Sequence, residues 1–417
     1  MSSTMFAAMK LIAIILPLLL SCVPRAAGEE QSTLDLLGRW LALDREKRPP
    51  LAAQEFATAA LSREDAARAE ALLVADHAAM IRATRAGEMK AKAITIGKQT
   101  LRFDFIVYGD KPKEGRSLFI SLHGGGGAPA QVNDQQWRNQ LRLYKPAEGI
   151  YLAPRAPTNT WNLWHQGHID ALFDRLITNL VVFEGVNPER VYLMGYSAGG
   201  DGVYQLAPRM SDRFAGAAMM AGHPNETSPL GLRNIPFALQ VGGRDGAYNR
   251  NGVAAVWQKK LAELRKGDPG GYEHFVKIHG GKGHWMNLED RAAVPWMAQY
   301  SRRRLPEKIV WKQDNVTHGR SYWLALPAGQ ARGGQTIVVS REGQTFIVKD
   351  AGGVTELKIL LNDAMIDFDL PVEVVAGGRT VFKGKAARSI RVIAETLAGR
   401  GDPGLVFNSS ITVKPGE

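Results

Sequence analysis

Three residue types in one chain order set up nucleophilic chemistry. Ser197 stands in Gly195-Tyr196-Ser197-Ala198-Gly199-Gly200, between a strand-like run at 190–194 and a helix-like segment at 198–208. A serine on a sharp strand-to-helix turn needs glycines on both sides, because a neighbouring Cβ would clash where the turn lifts Oγ above a sheet. A hydroxyl is a poor nucleophile at neutral pH, so the turn also calls for a histidine base, an acid to orient it and donors for an oxyanion. Asp245 follows the apolar run 237–241 through Gly242-Gly243-Arg244. His284 lies in Gly280-Gly281-Lys282-Gly283-His284-Trp285, after the strand-like run 273–278. The spacing predicts Ser197 as nucleophile, His284 as base and Asp245 as the acid.

Oxyanion donors are expected from backbone N–H groups that no side chain shields. The run His123-Gly124-Gly125-Gly126-Gly127 after 118–122 supplies them. The expected hole is the N–H of Ala198 with that of Gly124 or Gly125, and His123 supports the loop. Asp201, four residues past Ser197, is the competing carboxylate, expected to tune the site or pack at the helix start. Glu289 and Asp290 follow His284 too closely to orient it from another strand. Trp161, Trp164 and Tyr196 are candidate substrate contacts, with His165 and His168 near the same rim. No metal is expected, since no third ligand has zinc-site spacing, and the glycine run lacks a phosphate-loop Lys-Ser/Thr pair. No cofactor is called for.

These residues need a scaffold that brings loops together at the carboxyl ends of strands. Apolar runs at 118–122, 150–153, 191–194, 215–220 and 237–241 alternate with helix-like stretches near 168–184, 198–208 and 251–265. That order predicts an α/β fold with a mostly parallel sheet and crossover helices. Residues 90–305 are read as this catalytic domain, led in by a hairpin over 90–108 with Leu101, Phe103, Phe105 and Val107 on one face. Residues 23–89 are read as a helical segment, with Ser62-Arg63-Glu64-Asp65 as its capping signal. From Pro306 to the last residue, helical periods give way to short strand-like runs and Gly/Asp turns, which predicts a β-sandwich. The segment 222–234 is too short for a large mobile lid.

Within residues 1–22, Lys10 precedes an apolar run at 11–20 and then Ser21-Cys22, the pattern of an export signal too short for a membrane span. Leu19-Leu20-Ser21-Cys22 resembles the lipobox at which bacterial lipoproteins are cleaved and diacylated. The alternative is ordinary cleavage near Ala26-Ala27-Gly28 with Cys22 discarded. Both export the protein, the first to a membrane-anchored place in the bacterial cell envelope. Cys22 is the chain's only cysteine, which excludes a disulfide framework and Cys-rich zinc modules. The 417 residues carry 52 Lys+Arg and 41 Asp+Glu, a net +11, yet there is no nucleic-acid-binding signature, and no nucleic-acid partner is expected.

Together, residues 123–127 and 195–200, Asp245 and Gly283-His284-Trp285 resemble the α/β-hydrolase superfamily. The stretch 191–200 is similar to the polyhydroxybutyrate depolymerase and feruloyl esterase branch, and to predicted peptidases related to prolyl oligopeptidase. The resemblance covers residues 116–304. It implies hydrolysis of a carboxylic ester, small or polymeric, through an acyl-enzyme. A peptidase with the same residues, and a non-catalytic binding protein on the same fold, remain the alternatives.

Overall fold

The computed structural model describes residues 32–416. The expected export signal and Cys22 lie outside the described residues.

Helices α1 (Thr33–Ala42) and α2 (Arg63–Ala91) start where serine hydroxyls cap them: Ser32 accepts from the Asp35 N–H and Ser62 from the Asp65 N–H. Short 3₁₀ turns, not continuous helix, join the two. Strands β1 (Ala93–Ile96) and β2 (Gln99–Tyr108) form the expected antiparallel hairpin. The hairpin is no separate lead-in, because β2 also pairs along its length with β4 (Gly149–Arg155) and makes one edge of the main sheet.

The remaining strands of that sheet are β3 (Arg116–Leu122), β5 (Val186–Tyr196), β6 (Gly216–Met220), β7 (Phe237–Gly242) and β8 (His274–His279). Their order is β1-β2-β4-β3-β5-β6-β7-β8, and every pair from β4 to β8 is parallel. Helices α3 (Ala130–Gln140), α4 (His168–Glu184), α5 (Ala198–Arg209) and α6 (Arg250–Gly267) cross between strands. Strands β3, β4, β6 and β7 are buried along nearly their whole length, as helices on both faces require. An eight-stranded sheet of this order, with an antiparallel second strand and a serine turn after β5, is the α/β-hydrolase fold.

After the short α7 (Ala293–Met297) comes the β-rich region. A five-stranded sheet is built from β9 (Lys308–Lys312), β12 (Thr336–Glu342), β13 (Thr345–Asp350), β15 (Val372–Ala376) and β16 (Arg379–Gly384). A four-stranded one is built from β10 (Arg320–Ser321), β11 (Leu324–Ala325), β14 (Leu357–Leu361) and β17 (Ser409–Val413). Their inward residues, among them Ile337, Phe346, Ile359 and Ile411, share one core. One expectation is corrected: the region also holds a helix, α8 (Ile390–Arg400), capped by Ser389 and ended by Gly401 in the left-handed conformation. Its apolar face of Ile390, Ile393 and Leu397 packs on Leu37 of α1, Leu73 of α2 and Leu61 just before the α2 cap, so the two ends of the described chain bury each other.

Charge joins the β-rich region to the main sheet. Asp402, only 3% exposed, takes hydrogen bonds from Arg302 and Arg213, and Arg302 also pairs with Glu189 of β5. At the far end of α5, Arg209 grips Asp170 of α4, and His318 donates to the same carboxylate at 2.7 Å.

Candidate active site

Ser197 has φ +58° and ψ −124°, a backbone strain that L-residues adopt only where their surroundings enforce it. The enforcing contacts are specific. A Cβ on Gly195 would sit 2.3 Å from the Gly199 carbonyl oxygen, and a Cβ on Gly199 would sit 2.1 Å from that of Leu122. Both glycines therefore let β3, β5 and α5 converge below the serine. The Ser197 N–H donates to the Met220 carbonyl of β6 at 2.9 Å, and α5 begins at the next residue with its positive dipole end toward the site.

Ser197 Oγ lies 3.0 Å from His284 Nε2, and His284 Nδ1 lies 2.8 Å from Asp245 Oδ2. The serine hydroxyl donates to Nε2, which leaves Nδ1–H to donate to the carboxylate. Asp245 is nearly inaccessible, with its side chain 1% exposed, whereas that of His284 is 43% exposed and open to the cleft. The second Asp245 oxygen is 3.7 Å from Arg250. Turns after β7 and β8 lie on each other to make this possible: the Arg244 N–H donates to the Lys282 carbonyl and the Gly243 N–H to that of His279. Gly242 is required there, since a Cβ would fall 1.9 Å from the Gly283 carbonyl oxygen.

The glycine loop after β3 runs alongside the serine. A Cβ on Gly124 would come 3.2 Å from Ser197 Cβ and 3.7 Å from Oγ. Asn133 of α3, wholly buried, braces the loop by accepting from the Gly126 N–H and donating to the Ala128 carbonyl. As the first residue of α5, Ala198 has an N–H with no acceptor inside the helix. His123 is buried, with Nδ1 on the Gly124 carbonyl and Nε2 accepting from the Ala156 N–H. Burial pushes its pKa down to about 4, so the ring is neutral and supports the loop.

Among the expected substrate contacts, Trp161 is 64% exposed beside the glycine loop. Trp164 is a correction. It is fully buried, donates its indole N–H to the His123 carbonyl at 3.0 Å and meets the His123 ring edge-on. Its side chain braces the oxyanion loop from behind. Tyr196 lines the cleft, but its hydroxyl is committed, donating to the His284 carbonyl at 2.6 Å and accepting from the Met286 N–H. His165 is buried beneath Trp161, and burial lowers its pKa to about 4. Among the described residues no three His, Cys, Asp or Glu side chains group as metal ligands. Asp201 does not reach His284; its Oδ1 accepts from the His223 N–H at 2.6 Å. Asp290 is buried on the Tyr144 hydroxyl, and Glu289 pairs with Lys282 and His279.

Further residues line the cleft: Gln136, Asn139 and Leu143 on one side, His223, Tyr248 and Arg250 on the other. The helical spacing of 136, 139 and 143, directly after the glycine loop, was the available signal for the first group.

No family model matches the chain. A curated protein of Nocardia uniformis subsp. tsuyamanensis, named "Putative esterase NocK", is 31% identical over 157 residues, 34% of this chain. The chain spans less than half of that relative, 44% of its length. Solved structures similar to this one include a thermostable esterase at 19% identity, covering 50% of this chain and 62% of the other with TM-score 0.39. Another is the feruloyl esterase module from Clostridium thermocellum complexed with sinapinate, at 14% identity over 50% of this chain and 86% of the other, TM-score 0.36.

Proposed function

We propose that the chain is an exported serine hydrolase that cleaves carboxylic esters. One observation carries the reading: Ser197 Oγ, His284 and Asp245 form an unbroken hydrogen-bonded line, with distances of 3.0 and 2.8 Å, at the mouth of an open cleft. The name of the Nocardia relative supports ester chemistry.

In this mechanism Ser197 Oγ attacks the ester carbonyl carbon as His284 Nε2 takes its proton. Asp245 holds the imidazole in the tautomer that can accept and steadies the imidazolium that forms. The oxyanion is met by the N–H of Ala198 and that of Gly124 or Gly125. His284 then returns the proton to the alcohol oxygen as the C–O bond breaks, leaving an acyl group on Ser197. Water, deprotonated by His284, attacks that acyl carbon, and the acid leaves as Oγ regains its proton. The test is labelling by a fluorophosphonate probe, which should modify the wild type and not Ser197→Ala. Undiminished labelling of the variant overturns the nucleophile. Ester substrates beside peptide anilides then separate an esterase from a peptidase.

Export rests on the apolar run at 11–20, and membrane anchoring on Cys22 at its end. Acyl chains add about 0.8 kcal/mol of membrane affinity per buried CH₂, so a multiply acylated Cys22 holds the enzyme at the cell envelope. Mass spectrometry of the mature N-terminus from the full chain expressed in a bacterium checks this. An unmodified N-terminus near Gly28 in the soluble fraction overturns the anchor.

A further inference from the structure

Two cavities open on Ser197 from opposite sides. One, of about 440 Å³, is lined by Gln136, Asn139, Leu143, Tyr196, Trp285 and His284. The other, of about 510 Å³, is lined by Trp161, Ala198, Asp201, His223, Tyr248 and Arg250. The reaction proposed above distinguishes them. His284 must hand its proton to the departing alcohol oxygen, so the alcohol half of the ester lies on the side that His284 lines. The acyl half, bonded to Ser197 and held by the Ala198 N–H, takes the other cavity.

The acyl side contains a carboxylate without a full set of partners. Asp201 Oδ1 accepts from the His223 N–H, while its second oxygen has no hydrogen-bond donor among the described residues, and no Lys or Arg lies within ion-pair distance of either oxygen. The cation of this wall, Arg250, sits 3.7 Å from Asp245 and over the Tyr248 ring at 4.8 Å, and it acts on Asp201 only from beyond ion-pair distance. Burial raises the Asp201 pKa, and the His223 N–H and the more distant Arg250 charge offset it only in part. Two exposed rings, Trp161 and Tyr248, supply apolar surface for the carbon chain that would reach it.

We infer that Asp201 is a specificity-determining residue on the acyl side, selecting acyl groups that carry a hydrogen-bond donor, a hydroxyl or an ammonium, over plain alkyl chains. The inference rests on the ester-hydrolase reading and adds the chemistry of the acyl group to it. A hydrogen bond to a charged acceptor is strong enough to discriminate by about tenfold to a hundredfold.

The experiment uses matched p-nitrophenyl esters whose acyl chains bear a hydroxyl, an ammonium or hydrogen at the second, third or fourth carbon. Each kcat/KM is normalised to the hydroxide-catalysed rate of the same ester. In the wild type, at least one donor-bearing ester is expected to exceed its alkyl match by about tenfold or more, and the better arm tells hydroxyl from ammonium. Asp201→Asn can still accept from His223 while its amide N–H₂ faces the cavity, so the preference should collapse toward parity. Equal values across the wild-type series overturn the inference, and so does a preference that survives in an Asp201→Asn protein whose Ser197 still takes the fluorophosphonate. Absence of labelling in the wild type instead overturns the ester-hydrolase reading beneath it.

Discussion

The hydroxyl of Tyr196 donates to the backbone carbonyl of His284 at 2.6 Å and accepts from the Met286 N–H at 3.0 Å, so the residue before the nucleophile pins the loop that carries the base. The Tyr196 ring also meets the His284 ring edge-on, 5.9 Å between centroids. Tyr196→Phe keeps the ring and removes both hydrogen bonds. We expect kcat to fall about tenfold with KM changed less, because the loss falls on the position of the base and not on substrate contacts. Steady-state kinetics on a short ester measures this, and an unchanged kcat would remove the pinning role.

Two carboxylates compete for the role of acid, and their contacts separate them. Asp245 meets His284 Nδ1, whereas Asp201 meets only a backbone N–H. Asp245→Asn should lower kcat on an alkyl ester by about three to four orders of magnitude with the thermal midpoint little changed. Should Asp201→Asn prove the more damaging of the two on that ester, the acid assignment fails.

His123 links stability to acid. Its pKa in the folded protein, about 4, lies below the ordinary 6.5 because burial penalises the charged ring. The neutral ring is the form the fold accommodates, so its contribution is present above pH 6.5 and is lost as pH falls toward 4. For a ring this deeply buried the loss is about 3 kcal/mol. Urea unfolding at pH 7 and at pH 4.5 should therefore differ more for the wild type than for His123→Gln. Equal pH dependence in the two proteins would assign the acid sensitivity to other groups.

The chemistry was more legible than the packing. Ser197, Asp245 and His284 are readable because each follows a strand-like run, and Ser197 and Asp245 also follow glycines that the structure needs for close backbone approach. Trp164 carries no local mark that sets it apart from the exposed Trp161; only the tertiary contact with His123 distinguishes the two. Helix α8 left signals that the strand-like runs around it masked: Ser389 as cap, Ile390, Ile393 and Leu397 at helical spacing, and Gly401 as terminator. The β2–β4 pairing had no local signal at all, since it joins segments separated by the whole of β3 and α3. Arg250 as a cleft residue was equally hidden, because one arginine at a helix start looks like any other until the Asp245 loop folds over it.

Asp402 predicts how the β-rich region and the catalytic sheet unfold. Burial alone would raise its pKa, but Arg302 and Arg213 outweigh that and hold the carboxyl well below its usual range. All three side chains are at most 3% exposed, so removing the carboxylate leaves two buried guanidiniums short of countercharge. Asp402→Ala should cost about 3–5 kcal/mol, the range for breaking a buried ion pair from one side. Arg302 also holds Glu189 of β5, and Arg213 holds Asp174 of α4, so the loss reaches the layer beneath the nucleophile turn. We expect tryptophan fluorescence, read in a background where Trp311 and Trp323 of the β-rich region are the only two of the nine tryptophans retained, and fluorophosphonate labelling of Ser197 to be lost at one urea concentration, lower with Asp402→Ala than without it. Two separate midpoints in the wild type would mean that the two regions unfold independently and that this buried network does not couple them.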